Sequence, residues 1–303
     1  MNPRTDSVTV RVPASTSNCG SGFDTLGLAL GLYNSVTVTR STGNVPNPER
    51  PSDARAVEMV SDAVGALARI SGAPPFGFNY KIDGDVPAAR GLGSSVTVIA
   101  GILAGLATLQ GTRIDKKKLV SLVTAIEGHP DNASAGILGG FCVSRSDPAS
   151  GDYIDSMRFE VPDNVAFVVA SPPVELMTKE SRGALPQALP FFDAVKSVNA
   201  ASYLVAAFAS RDYAQLKHVS GDYIHEPYRL GRIPGANDAI SAGVAEGAWT
   251  GWLSGSGSSV LCVCEWSKAE AVSAAMDESF KRVSMTAECR TLAADNEGLV
   301  VQA

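Results

Sequence analysis

Pro87-Ala88-Ala89-Arg90-Gly91-Leu92-Gly93-Ser94-Ser95, continued by the apolar run VTVIAGILAGL over residues 96–106, decides more about this chain than any other stretch. Gly91 and Gly93 permit backbone conformations that turn successive N–H groups toward one point. Ser94 and Ser95 add hydroxyls, and a helix starting near Val96 aims its positive end at the same place. No lysine follows in the GxxxxGK[ST] pattern, which excludes an ordinary P-loop. Two readings remain at this point: a phosphate-cradling loop that feeds a helix, and a glycine turn capped by serine ahead of a buried helix.

The 303 residues, 45% of them hydrophobic, suffice for two cores. Net charge is −6 and the basic residues are scattered, which argues against a nucleic-acid surface or an anionic membrane partner. The N-terminal MNPRTDSVTV lacks the apolar core of a leader, and the longest apolar run, near 96–109, is too short to span a bilayer, so a cytoplasmic protein is expected. Cys19, Cys142, Cys262, Cys264 and Cys289 form no CxxC pair. In LCVCE, Cys262 and Cys264 alternate on an expected strand and share one face, as structural thiols.

VTVRVPAS and LYNSVTVTR alternate as strands do, and the Gly/Ser/Asn-rich SNCGSGFDTLGLALG between them is a candidate binding loop. VEMVSDAVGALARI has helical spacing, and FGFNYKIDGDVP reads as a strand entering the glycine loop. Residues 95–110 are apolar nearly all round, as a sandwiched core helix is, whereas DKKKLVSLVTAIEG is amphipathic and ends at Glu127. GILGGFCVSR and MRFEVPDNVAFVVASPP read as strands. Beyond Glu175 come the helical AVKSVNAASYLVAAFASRDYAQL and ANDAISAGVAEGA, then strand, glycine turn and strand in TGWLSGSGSSVLCVCE, then the helix SKAEAVSAAMDESFKRV. This order is a split βαβ pattern.

Three motifs stand in series: PASTSNCGSGFDTLGLAL at 13–30, PAARGLGSS at 87–95 and LSGSGSS at 253–259. In that order they resemble the GHMP small-molecule kinases (galactokinase, homoserine kinase, mevalonate kinase, phosphomevalonate kinase) over almost the whole chain. EGHPDNASAGILGGF, TKESRGALP and HEPYRLGRIP look specifically like homoserine kinase. The resemblance implies a two-domain α+β fold. An N-terminal ribosomal S5 domain 2-like domain (1–160) would bind ATP, and a C-terminal ferredoxin-like domain (161–303) would close over it. It further implies ATP-dependent phosphorylation of the side-chain hydroxyl of L-homoserine, on the route to threonine. L-homoserine and ATP would be the partners, with a homodimer as a further option.

Phosphoryl transfer asks a protein chiefly for alignment and for positive or dipolar groups around the travelling phosphate. By resemblance, ATP lies on Pro87, Arg90, Gly91, Leu92, Gly93, Ser94 and Ser95. Mg²⁺, which takes oxygen ligands, would be held by Ser95 (or its neighbour Ser94) and Glu127. A zwitterionic acceptor needs a carboxylate clamp, for which Arg182 and Arg229 offer guanidinium forks. Asn18, Asp24 and Asn132 resemble the family's ligands for the ammonium and hydroxyl ends, with His129 in the same EGHPDN turn. Where mevalonate kinases present an aspartate, this chain has Asn132, whose amide cannot take a proton. Catalysis is therefore expected to rest on alignment and electrostatics at Asn132, Glu127 and Ser95, with His225 the one imidazole that has a route to the site, or equally, as part of HEPYR, a structural neighbour of Arg229.

Two departures weaken particular inferences. SGSGSS lacks the proline and threonine that relatives often carry after the second glycine, so Ser258 and Ser259 alter that turn. RPSDARAVEMV replaces the usual asparagine-bearing adenine stretch, leaving the base pocket unassigned. The competing expectations are a kinase for L-threonine or another small hydroxylated acid, and a silent ligand-binding homologue.

Overall fold

A computed structural model describes residues 6–43, 45–71, 76–176, 178–219 and 221–302. Residues 1–5, which carried part of the reading against a leader, lie outside the described residues. In chain order the strands are β1 (Ser7–Ser17), β2 (Leu26–Arg40), β3 (Pro46–Pro48), β4 (Phe78–Gly84), β5 (Phe141–Ser146), β6 (Tyr153–Phe159), β7 (Val165–Ser171), β8 (Thr250–Leu253), β9 (Val260–Glu265), β10 (Glu288–Leu292) and β11 (Val300–Gln302). The helices are α1 (Val57–Ser71), α2 (Ser94–Gln110), α3 (Lys116–Glu127), α4 (Asp131–Leu138), α5 (Thr178–Gly183), α6 (Phe191–Ser210), α7 (Glu226–Arg229), α8 (Ala236–Ala245) and α9 (Ala269–Arg282). Among the described residues no helix is long and apolar enough to cross a membrane.

The first sheet runs β11-β1-β2-β4-β3, and the long β2 also pairs through its N-terminal half with β5, which carries β6. At Pro13, which has no N–H to give, the β1–β2 register shifts, so one strand pair serves two sheet directions. Val10, Val12, Val36 and Val38 of this sheet meet Ile99, Ile102, Leu103 and Leu106 of α2, with α1 and α3 packed outside. This burial on several sides is why α2 has no polar face.

The second sheet has the antiparallel order β10-β7-β9-β8, the ferredoxin-like arrangement expected of the C-terminal half. Its strands alternate between two cores. Val165, Phe167, Val169, Leu261 and Val263 face Leu26, Leu28, Leu30 and Phe141 of the first sheet. Val168, Cys262 and Cys264 face Val272, Met276 and Phe280 of α9. Cys262 and Cys264 thus share a buried face, and all five cysteines are free thiols. Phe141 of β5 and Phe208 of α6 stack 4.1 Å apart inside this same apolar cluster, which joins the two sheets. After β10 the chain returns, and β11 pairs with β1.

Two local expectations are corrected. Gly136-Ile137-Leu138 of GILGGF ends a helix, α4, because Ala133, Ala135 and Ile137 bury along one side of it; a short apolar run fits either period. MRFEVPDNVAFVVASPP holds two strands, split where Val165 N–H donates to the Pro162 carbonyl, and the turn carries the chain from one sheet to the other.

Candidate active site

At the seam between the sheets lies an open cleft of about 630 Å³. Its walls include Asn18, Asp24, Arg90, Gly91, Leu92, Gly93, Ser94, Ser95, Glu127, His129, Asn132, Arg182 and Arg229, nearly the whole set named from the sequence. Pro87 and His225 stand outside it. Pro87 lies on a separate surface hollow with Ser171 and Pro173.

One end of the cleft is the glycine loop. Gly91 (φ 74°) and Gly93 (φ 69°) are left-handed, and a Cβ would stand 2.0 Å from the Ser254 carbonyl oxygen at Gly91 and 2.2 Å from Ser15 Oγ at Gly93. Only glycine meets both conditions. Gly93 is the N-cap of α2 and brings no side-chain cap, and Thr97 N–H is the first to find the Gly93 carbonyl. The N–H groups of Ser94, Ser95 and Val96 therefore precede the ladder, at the positive end of a 17-residue helix. Ser95 Oγ donates to the carboxylate of Glu127, the last residue of α3, which the left-handed Gly128 terminates. The loop is fastened from behind by the turn between β8 and β9: Ser254 Oγ donates to the Gly91 carbonyl at 2.7 Å and Ser259 N–H to the Arg90 carbonyl at 3.1 Å.

The middle of the cleft is held by α4. Asn132 Nδ2 donates to Ser17 Oγ at 3.0 Å, and Ser15 Oγ donates to Asn132 Oδ1 at 2.8 Å, so β1 fixes the amide at both ends. Buried Asp131 accepts from the Asn132 N–H and from His129 Nδ1, each at 2.7 Å. Burial disfavours the Asp131 charge, yet His129 and these hydrogen bonds hold its pKa below the usual carboxylate value. Burial likewise disfavours an imidazolium at His129, but the attraction of Asp131 outweighs it and raises the pKa.

The far end is cationic. Asn18, Cys19 and Asp24, none of them glycine, all have left-handed φ in the loop after β1, and such strain gathers at binding sites. Asn18 is committed to holding this loop: its Oδ1 accepts from Asp24 N–H at 3.1 Å and its Nδ2 donates to the Gly255 carbonyl at 3.1 Å. Asp24 is gripped by Arg182 through two bonds of 3.0 and 2.5 Å. Arg229, 2% exposed, donates among the described residues to the carbonyls of Ser181 and Gly255 and to His225 Nδ1, at 3.3 to 3.4 Å. Among the described residues it has no carboxylate partner; burial, and then repulsion from Arg182, pushes its pKa down to about 10. Both guanidinium groups lie over the Phe23 ring, 5.2 Å from its centre for Arg182 and 5.3 Å for Arg229.

His225 is fully buried behind Arg229, and its Nε2 donates to the Gly20 carbonyl at 2.9 Å. Of the two expectations for it, a route to the reacting atoms and a structural neighbour of Arg229, its contacts with Arg229 Nη1, the Gly20 carbonyl and the Phe23 ring match the second. Ser15, Ser17 and Phe23 were not singled out from the sequence. The serines do carry a signal, since the polar positions of PASTS recur with period two at a strand end. A phenylalanine in a glycine-rich loop carries none.

Comparisons with known proteins bear on the family and the fold. The family described as "GHMP kinases N terminal domain" matches residues 55–140, and "GHMP kinases C terminal" matches 204–282. The homoserine kinase of Moorella thermoacetica is 35% identical over 96% of this chain and 99% of its own length. That of Microchaete diplosiphon is 37% identical over 96% of each. The crystal structure of homoserine kinase from Cytophaga hutchinsonii superposes with a TM-score of 0.88 at 26% identity, covering 100% of this chain and 99% of that one. With the glycine loop, the α4 turn and the arginine pair in their expected order around one cleft, and relatives aligned end to end, the chain belongs to the homoserine kinase family of the GHMP kinases.

Proposed function

We propose a division of labour among these side chains for the reaction this chain catalyses, transfer of the γ-phosphoryl group of ATP to the side-chain hydroxyl of L-homoserine, giving O-phospho-L-homoserine. The triphosphate lies on the N–H groups of Ser94, Ser95 and Val96, where an uncapped helix end and a tight glycine loop offer donors with no partner of their own. Arg90 is on the same wall, and its buried Nη1 finds no partner among the described residues. The Ser95 hydroxyl and Glu127 carboxylate form an oxygen-only pair beside that helix end, which suits Mg²⁺, and they would hold it. Bound there, the ion supplies charge neutralisation between phosphate oxygens.

At the far end Arg229 takes the carboxylate of the acceptor, shared with Arg182, and Asp24 takes the ammonium. Asn132, immobilised by Ser15 and Ser17, orients the hydroxyl. It has no basic lone pair to accept the proton, which leaves late for a phosphate oxygen. His225 is a positioning residue that keeps Arg229 aimed into the cleft. The free thiols fit a reducing, cytoplasmic setting.

The observation that carries this reading is the single cleft with an uncapped helix N-terminus at one end and a buried arginine without a carboxylate at the other. Coupled ADP release measured across L-homoserine, L-threonine, L-serine and mevalonate tests it. The expected result is a kcat/KM for L-homoserine at least about tenfold above that for its isomer L-threonine, whose hydroxyl sits one carbon nearer the ammonium and so out of line with the phosphate. A higher value for another acceptor, or no ADP release at all, overturns it.

A further inference from the structure

The turn between β8 and β9 faces two ways. Toward the glycine loop it offers Ser254 Oγ to the Gly91 carbonyl and the Ser259 N–H to the Arg90 carbonyl. Its other side meets residues 172–176, the segment that leaves β7 and leads to α5, which carries Ser181 and Arg182. This segment belongs to no helix or strand, and Pro172 and Pro173 bring no N–H to any ladder, so it needs outside anchors. The turn supplies them. Ser258 Oγ, fully buried, donates to the Val174 carbonyl and stands 3.3 Å from that of Pro172, and Ser259 Oγ shares a hydrogen bond of 2.7 Å with Ser171 Oγ. Leu176 then reaches the glycine loop itself, its N–H donating to the Ala89 carbonyl at 3.3 Å, and joins the cleft wall. Six residues are too few for α5 to stand alone. Its backbone is placed by this segment, by Ser181 Oγ on the Ser256 carbonyl at 3.4 Å and by Arg229 Nε on the Ser181 carbonyl, while Asp24 holds only the tip of Arg182.

We infer that Ser258 is a positioning residue whose hydroxyl ties the segment leading to Arg182 to the turn that braces the glycine loop, so that the nucleotide side and the acceptor side of the cleft order each other. A nucleotide that stiffens the glycine loop stiffens the turn, and through Ser258 it stiffens the backbone that carries Arg182. Proline, which relatives often carry at this point of the turn, has no hydroxyl to give. The tie is therefore a property of this chain's serine and not of the glycine pattern around it. The inference rests on the assignment of Arg182 to the acceptor, and adds the residue through which the other substrate is felt there.

Ser258→Ala, which removes only the hydroxyl, and Ser258→Pro test it, with thermal melting as the check that each folds. Hydrogen–deuterium exchange reads the tie with no substrate present: the amides of Val174, Leu176 and α5 are expected to exchange at least about tenfold faster in both variants, and those of α2 at the wild-type rate. In steady state, KM for L-homoserine is expected to rise at least about fivefold, with kcat and KM for ATP within about twofold. In calorimetry, a non-hydrolysable ATP analogue is expected to tighten L-homoserine binding at least about fivefold in the wild type and less than about twofold in the variants. A general loss of stability would not separate the two KM values. Wild-type exchange in the segment, or a Ser258→Pro protein indistinguishable from wild type, overturns the tie. Faster exchange with both KM values unchanged overturns the inference and leaves Arg182 as the acceptor's ligand. No ADP release from wild-type protein and L-homoserine would instead strike the functional reading, and exchange would still decide whether Ser258 holds the segment.

Discussion

His225 lies buried against Arg229 and Phe23, two residues that line the cleft, and its proposed role is to position the first of them. Its Nε2 is used on the Gly20 carbonyl, so Nδ1 carries a lone pair toward Arg229 Nη1, and the ring packs 5.4 Å from Phe23. A proton on Nδ1 would set imidazolium against guanidinium. Burial lowers its pKa below 6.5, and the Arg229 charge adds to this, while Asp222 opposes it. The unfolded chain therefore binds this proton more readily than the native state, so the stability due to neutral His225 is full above the unfolded pKa and is lost as pH falls through the lower folded one. His129, whose folded pKa is raised, acts in the opposite window: its contribution is present below the unfolded pKa and is lost as pH rises through the folded one. His225→Gln, which keeps a donor for Gly20, is expected to melt with less acid sensitivity than the wild type between about pH 7 and about pH 5. It should raise KM for L-homoserine and leave kcat within about threefold, whereas loss of a general base would cost about 100-fold or more in kcat. A kcat loss of that size with unchanged KM would return His225 to the chemistry.

The glycine loop and the β8–β9 turn act as one element although 163 residues separate Gly91 from Ser254. Ala at position 91 must adopt a left-handed φ, at about 1–2 kcal/mol, and its Cβ must displace the Ser254 carbonyl. Gly91→Ala is expected to melt several degrees lower and to raise KM for ATP more than KM for L-homoserine; an unchanged melting temperature and KM for ATP would show the junction to be slack. Glycine and serine spacing made this loop legible in sequence, because a backbone conformation that demands glycine leaves a mark at fixed positions. The turn that braces it was legible as a turn but not as a neighbour, since nothing local encodes contact between distant segments. Gly136-Ile137-Leu138 was misread for a different reason: a run that short has no period long enough to separate helix from strand, and only burial under the sheet decided it. The i,i+4 spacing of His225 and Arg229 in HEPYR made them readable as neighbours, whereas Phe23 was invisible, because its place arises from where the two domains meet.

Across the whole molecule, two sheets share one apolar seam, through Leu28, Phe141, Phe167 and Trp252, and the cleft opens where that seam reaches the surface. The seam fixes the distance between the helix end proposed for the triphosphate and the arginines proposed for the acceptor, the alignment phosphoryl transfer needs. The net charge of −6 hides this local arrangement, in which Arg90, Arg182 and Arg229 all line one cavity. A crystal structure with a non-hydrolysable ATP analogue, Mg²⁺ and L-homoserine tests it most directly. The expected result has phosphate oxygens about 2.7–3.2 Å from the N–H groups of Ser94 and Ser95, the metal on Ser95 and Glu127, and the amino-acid carboxylate on Arg229. Triphosphate bound away from the glycine loop, with that helix end left to solvent, would contradict the account.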